Sequence, residues 1–105
     1  MTFSELGIDP ALVAALAKQH ISEPTPIQEL AIPAIAAGQD VYLHAETGSG
    51  KTLSYLLPLF ARLDTKQPIT QLVILAPTHE LAIQIQRQAC DLAVNAGLPV
   101  RTLLL

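Results

Sequence analysis

The chain has 105 residues, 50% of them hydrophobic and 14% charged, with six Lys and Arg against nine Asp and Glu and a formal net charge of −3. That length allows one small domain, the apolar content excludes intrinsic disorder, and the acidic balance leaves no basic patch able to hold a phosphate backbone by charge alone. No apolar run approaches the roughly 20 residues that cross a bilayer, the N-terminus lacks a basic region followed by an apolar stretch, and Cys90, the one cysteine, has no disulfide partner, as in a reducing, cytoplasmic setting.

A helix is predicted from Pro10 to His20. Asp9 can accept from free first-turn amides, Pro10 suits the first helical position, and Leu12, Val13 and Leu16 share one apolar face. After a break at Ser22 to Pro24, Thr25-Pro26-Ile27-Gln28 repeats the start signal. Ile27, Leu30, Ala31, Ala34 and Ile35 then form a stripe that ends before Gly38, which marks a second helix. Val41-Tyr42-Leu43-His44-Ala45 has strand composition and runs straight into the glycines at 48 and 50. A third helix is expected from Gly50 to Arg62, disturbed at Pro58, which lacks an amide donor.

Asp64 to Thr70 is a polar connection, and Gln71-Leu72-Val73-Ile74-Leu75-Ala76 reads as a strand covered on both faces. Thr78 can cap a fourth helix whose stripe is Leu81, Ile85, Ala89, Leu92 and Ala96, with Gly97 as its stop. Pro99 precedes a last apolar run, Arg101-Thr102-Leu103-Leu104-Leu105, with the composition of a buried strand. The charged fraction lies well below the roughly 25% of ordinary soluble domains. A chain of this kind is packed by a partner or belongs to a longer domain. Strands alternating with helices predict an α/β fold with a parallel sheet and right-handed crossovers.

The most informative stretch is Ala45-Glu46-Thr47-Gly48-Ser49-Gly50-Lys51-Thr52. Glycines at 48 and 50 free the backbone to turn successive amides inward around an anion. Lys51 adds a mobile positive charge for β- and γ-phosphates, Thr52 a hydroxyl for magnesium, and the following helix aims its positive end at the same volume. A strand before and a helix after supply the context this loop requires. The general phosphate-loop pattern begins with glycine, where this sequence has Ala45.

Three blocks together resemble the N-terminal part of the first RecA-like domain of DEAD-box RNA helicases. Glu23-Pro24-Thr25-Pro26-Ile27-Gln28 is similar to the family's Q motif, with Phe3 at the place of its isolated upstream aromatic. The phosphate loop in that family begins with alanine, as here. Pro77-Thr78-His79-Glu80-Leu81-Ala82 is similar to motif Ia, usually Pro-Thr-Arg-Glu-Leu. The resemblance implies a P-loop NTPase sheet with flanking helices, present as its N-terminal portion over residues 1–105, with Q-motif helices in 1–38 and a βαβαβ portion in 39–105.

By that resemblance ATP and Mg2+ are the ligands. Phe3, Thr25, Gln28 and Ala45 through Thr52 (Glu46, Thr47, Gly48, Ser49, Gly50 and Lys51 included) contact the nucleotide; Lys51 and Thr52 have the catalytic role, with Thr52 on the metal. Pro77, Thr78, His79 and Glu80 are expected at RNA, weakly in this chain alone. A carboxamide both donates and accepts, as the amino group and N7 of adenine require, whereas guanine offers only acceptors at that edge. Thr25 and Gln28 also form a Thr-x-x-Gln capping box, and both roles are compatible. Phe3 either stacks on the base or tucks against the first helix.

Three positions depart from the family pattern: His20 where it favours glycine, Ile21 where it favours an aromatic, and His79, which replaces a permanent guanidinium with an imidazole. His79 is then either a weaker or pH-dependent RNA contact or an exposed first-turn residue, and Glu80 suits the helix dipole without any further role. His44, next to the loop, either faces nucleotide or packs; Cys90 reads as a small apolar helix residue, and Tyr42 and Tyr55 as core or edge residues.

No Asp-Glu-Ala-Asp segment occurs, and the one complete apolar strand after the loop ends in Pro77 and Thr78 instead of an acid able to organise magnesium and water. Hydrolysis and unwinding are thus expected of a parent enzyme that includes a second domain, not of these residues alone. The alternatives are a free nucleotide-binding or interaction module without turnover, and another P-loop NTPase such as a small-molecule kinase.

Overall fold

The structure, a computed structural model, describes residues 1–45 and 50–105. Four helices form in the described residues: α1 (Pro10–Lys18), α2 (Pro26–Ala36), α3 (Lys51–Phe60) and α4 (His79–Ala96). Each begins as its sequence dictates. The Asp9 carboxylate accepts from the Ala11 amide at 2.9 Å and Pro10 opens α1. Thr78 Oγ1 accepts from Leu81 N at 3.1 Å, satisfying one of the otherwise open first-turn donors of α4. Pro26 opens α2, and Gly50, in the left-handed region at φ 83°, precedes α3.

Three helices stop in the same way. Leu98 N donates to Ala93 O across Gly97, Gln39 N to Ala34 O across Gly38, and Ile21 N to Leu16 O across His20. These are the six-to-one bonds of Schellman motifs, which need one left-handed residue. Gly38 and Gly97 take that conformation without a Cβ penalty; His20 takes it at φ 64° as the one described non-glycine residue with positive φ.

The core gathers Phe3, Ile8, Leu12, Leu16, Ile32, Leu56, Leu57, Phe60 and Leu92, all buried. Packing is chiefly of α2 against α3 and of α1 against α4, with a smaller α3–α4 contact joining the two pairs. Two prolines lie inside helices, Pro33 in α2 and Pro58 in α3. Pro58 removes an amide from the ladder, yet α3 continues to Phe60. Its ring is fully buried, and that apolar burial offsets the missing bond. Lys18 Nζ, at the end of α1, donates to Asn95 O near the end of α4 at 3.0 Å, a cation placed at the negative end of that helix.

The expected strands differ from what is observed. Residues 41–45, 71–76 and 101–105 form no strands, and no parallel sheet exists among the described residues. Tyr42 is 90% exposed, Leu75 91% and Leu103 83%, where burial on both faces was expected for residues 71–76. The physical reason is that a strand draws its stability from ladder bonds to neighbours and from layers covering its faces. The described backbone bonds join none of these segments to one another, and Tyr42, Val73, Leu75, Leu103 and Leu105 remain largely exposed. An apolar pattern states the burial a segment needs without supplying the partner that provides it. Between these segments the 64–71 connection is tied by Gln71, whose side chain accepts from Asp64 N and donates to Asp64 O, both at 2.8 Å.

Candidate functional site

The site begins at the junction of α2 and α3. Gln28, in the first turn of α2, is 2% exposed and its carboxamide is held at both ends. Oε1 accepts from Thr25 N at 2.9 Å, which is the capping arm the sequence predicts. Nε2 donates to Gly50 O at 3.1 Å, a bond across 22 positions of sequence that ties the start of α2 to the start of α3. No local pattern signals that second bond; only the tertiary packing of α2 on α3 creates it.

Two backbone groups therefore fix which way the amide points. A carboxamide carries two donors and two acceptor lone pairs. One of each is used here, so one donor and one acceptor remain. Thr25 Oγ1 is buried at the capping position and faces the Gln28 backbone N–H in the capping box, but the two do not meet in hydrogen-bond geometry and no other described group bonds the hydroxyl. A buried polar atom of this kind is costly unless a ligand or water meets it.

Gly50 is constrained twice. Its φ of 83° lies in the left-handed region, and a Cβ there would come within 3.2 Å of both Gln28 Cδ and Thr25 Oγ1, and closer still to Gln28 Nε2. Only glycine lets the two helix starts approach so closely. Because Gly50 has no side chain to cap α3, the first-turn amides of that helix receive no side-chain acceptor from their own N-cap. Such an open helix start favours an anion.

Lys51, the first residue of α3, is exposed, and its Nζ donates to Ala45 O at 3.5 Å, across the ends of the phosphate loop. Thr52 is half-buried in the first turn, and its hydroxyl makes no hydrogen bond to the described residues. Glu46, Thr47, Gly48 and Ser49, assigned to the nucleotide on sequence grounds, lie outside the described residues. What the structure brings together is thus Thr25, Gln28, Ala45, Gly50, Lys51 and Thr52. These groups fit a nucleotide with its magnesium: a free donor–acceptor pair, an open helix start, a mobile cation and a hydroxyl in the first turn.

Phe3 is placed differently from an open stacking platform. Its ring is 2% exposed and belongs to the hydrophobic core, and its carbonyl accepts from Leu6 N and Ile8 N at 3.1 and 3.2 Å in a tight N-terminal turn. Pro77, Thr78, His79 and Glu80 are all exposed at the start of α4, where Thr78 satisfies the Leu81 amide. His44 and Tyr42 are exposed, Tyr55 packs half-buried against the core, and Cys90 Sγ lies 3.0 Å from Thr102 Oγ1. Gln86 Nε2 donates to the same hydroxyl at 3.3 Å, so two residues of α4 anchor the last segment. No group of three or more His, Cys, Asp or Glu able to hold a metal occurs among the described residues. Nor is any helix there long and apolar enough to cross a membrane.

Residues 25–104 match the model of the DEAD/DEAH box helicase family. The chain is 48% identical over 92 residues to "ATP-dependent RNA helicase dbp-9" of Neurospora crassa, covering 83% of this chain and 14% of that protein. It is 46% identical over 88 residues to "ATP-dependent RNA helicase CshA" of Limosilactobacillus reuteri, covering 84% of this chain and 18% of that one. Among solved structures, the DEAD box protein of the hyperthermophile Methanococcus jannaschii superposes with a TM-score of 0.80 at 34% identity, over 88% of this chain and 25% of that one. The RNA-helicase Prp28 of Chaetomium thermophilum bound to ADP superposes at 0.81 and 37% identity, over 95% and 26%. The chain spans less than a fifth of the length of the Neurospora crassa and Limosilactobacillus reuteri relatives.

Proposed function

Because the chain belongs to the DEAD/DEAH box helicase family, we propose that it is the ATP-binding front portion of an ATP-dependent RNA helicase, contributing part of the first RecA-like domain. The observation that carries this reading is the Gln28 carboxamide, locked between Thr25 N and Gly50 O with one donor and one acceptor unused; at 2% exposure they meet a base only once the surface over the α2–α3 junction opens, as the Phe3 turn must for stacking. That remaining pair suits adenine, whose amino group donates and whose N7 accepts. Capping and base reading coexist, because the cap uses Oε1 once and the base would use its second lone pair.

In this reading Lys51 neutralises charge on the β- and γ-phosphates, and the first-turn amides of α3 donate to the same anion. Bound magnesium would supply charge neutralisation, with Thr52 as its protein ligand. Glu46 to Ser49 complete the loop on sequence grounds. Phe3 supports the site through the core; stacking on a base requires the 2–8 turn to shift and expose the ring. The start of α4, at Pro77, Thr78, His79 and Glu80, is the proposed RNA backbone contact, made through the first-turn amides that the Thr78 cap leaves free. His79 in the family's arginine position offers no permanent charge there.

The finer architecture follows from the apolar segments. Residues 41–45, 71–76 and 101–105 become strands of a parallel sheet, with residues 1–38 as the Q-motif helices beside it. Support comes from their exposed apolar side chains and from the greater length of the relatives, which leaves ample chain to cover them. The acid that directs water, the later motifs and the second domain would then be supplied by the rest of the parent enzyme. Unpaired, half-buried Cys90 suits a reducing, cytoplasmic location.

The test is the Gln28→Ala variant, with ATP affinity and thermal stability measured on the same protein. Base recognition predicts an affinity loss of about 1–3 kcal/mol. Capping alone predicts a loss of stability by up to about 2 kcal/mol with ATP affinity unchanged, and that outcome would overturn the assignment.

A further inference from the structure

We draw no further inference here: the strongest candidate, the exposed apolar patch formed by the extended segments at 41–45, 72–76 and 103–105, belongs to the sheet already proposed above, and nothing in the structure shows any other partner that covers it.

Discussion

Gly50, at the end of the phosphate loop, carries two constraints at once. At Gly50, both the left-handed backbone and the close approach of Gln28 and Thr25 exclude a side chain. Gly50→Ala is expected to lose at least about 1–2 kcal/mol of stability from the backbone conformation alone. The displaced Gln28 carboxamide should lower ATP affinity in the same variant. Thermal unfolding and nucleotide titration check the two effects separately, and a variant as stable as the parent chain would contradict the left-handed assignment.

His20 presents the opposite case. It sits where two other helices of this chain use glycine, at φ 64° and exposed to solvent. His20→Gly removes the left-handed penalty and deletes no packed side chain, so it should stabilise the fold by up to about 1 kcal/mol, the gain limited by the freedom glycine has when unfolded. A denaturant midpoint that falls in this variant would show the histidine side chain to have a packing role. The left-handed stop was not legible in the sequence, where His20 stands out only as a departure from a family pattern, since a histidine does not itself announce positive φ.

Among the elements, the helices were legible because their signals are local. Asp9, Thr25 and Thr78 lie at helix starts, Gly38 and Gly97 just past helix ends, and Leu12, Leu16, Ala31, Ile35, Ile85, Ala89 and Leu92 face the core as periodicity puts them; in α2 the predicted stripe residue Leu30 is instead 75% exposed, and Ile32 is buried. Thr78→Ala removes the acceptor for Leu81 N and should cost α4 about 1 kcal/mol, read as a lower denaturation midpoint. An unchanged midpoint would mean that water replaces the hydroxyl without loss.

The extended segments at 41–45 and 71–76 were readable in composition but not in outcome, because a strand depends on partners far away in sequence. The Gln28–Gly50 bond escaped sequence reasoning for the same cause. Its two ends lie 22 residues apart and meet only through the packing of α2 on α3.

At the scale of the whole molecule, the core is made by the helices while much large apolar surface remains open. Tyr42, Val73, Leu75, Leu103 and Leu105 are each more than 70% exposed, on a chain with only 14% charged residues. Exposed apolar segments with unpaired backbone edges template association. The chain produced alone is therefore expected to self-associate, and Leu75→Lys, an exposed substitution costing no core packing, should shift the mass distribution in light scattering toward monomer. A parent chain monomeric at high concentration would contradict the view that these segments await cover.

The same scale sets the division of labour. In the proposed reading nucleotide contacts fall in residues 25–52 and RNA contacts at the start of α4, while the apolar run after the loop ends in Pro77 and Thr78 instead of an acid for water activation. The part should therefore bind ATP without turning it over.

ATP and GTP affinities, measured by calorimetry on the chain and on its Lys51→Ala variant, bear most directly on this account. If amides and the Lys51 ammonium seat a triphosphate beside a flip-locked Gln28, ATP binds more tightly than GTP by roughly 10- to 100-fold, the cost of one unpaired buried acceptor. Lys51→Ala then loses both nucleotides without a change in thermal stability. Equal affinity for ATP and GTP, or undiminished binding by Lys51→Ala, would contradict it.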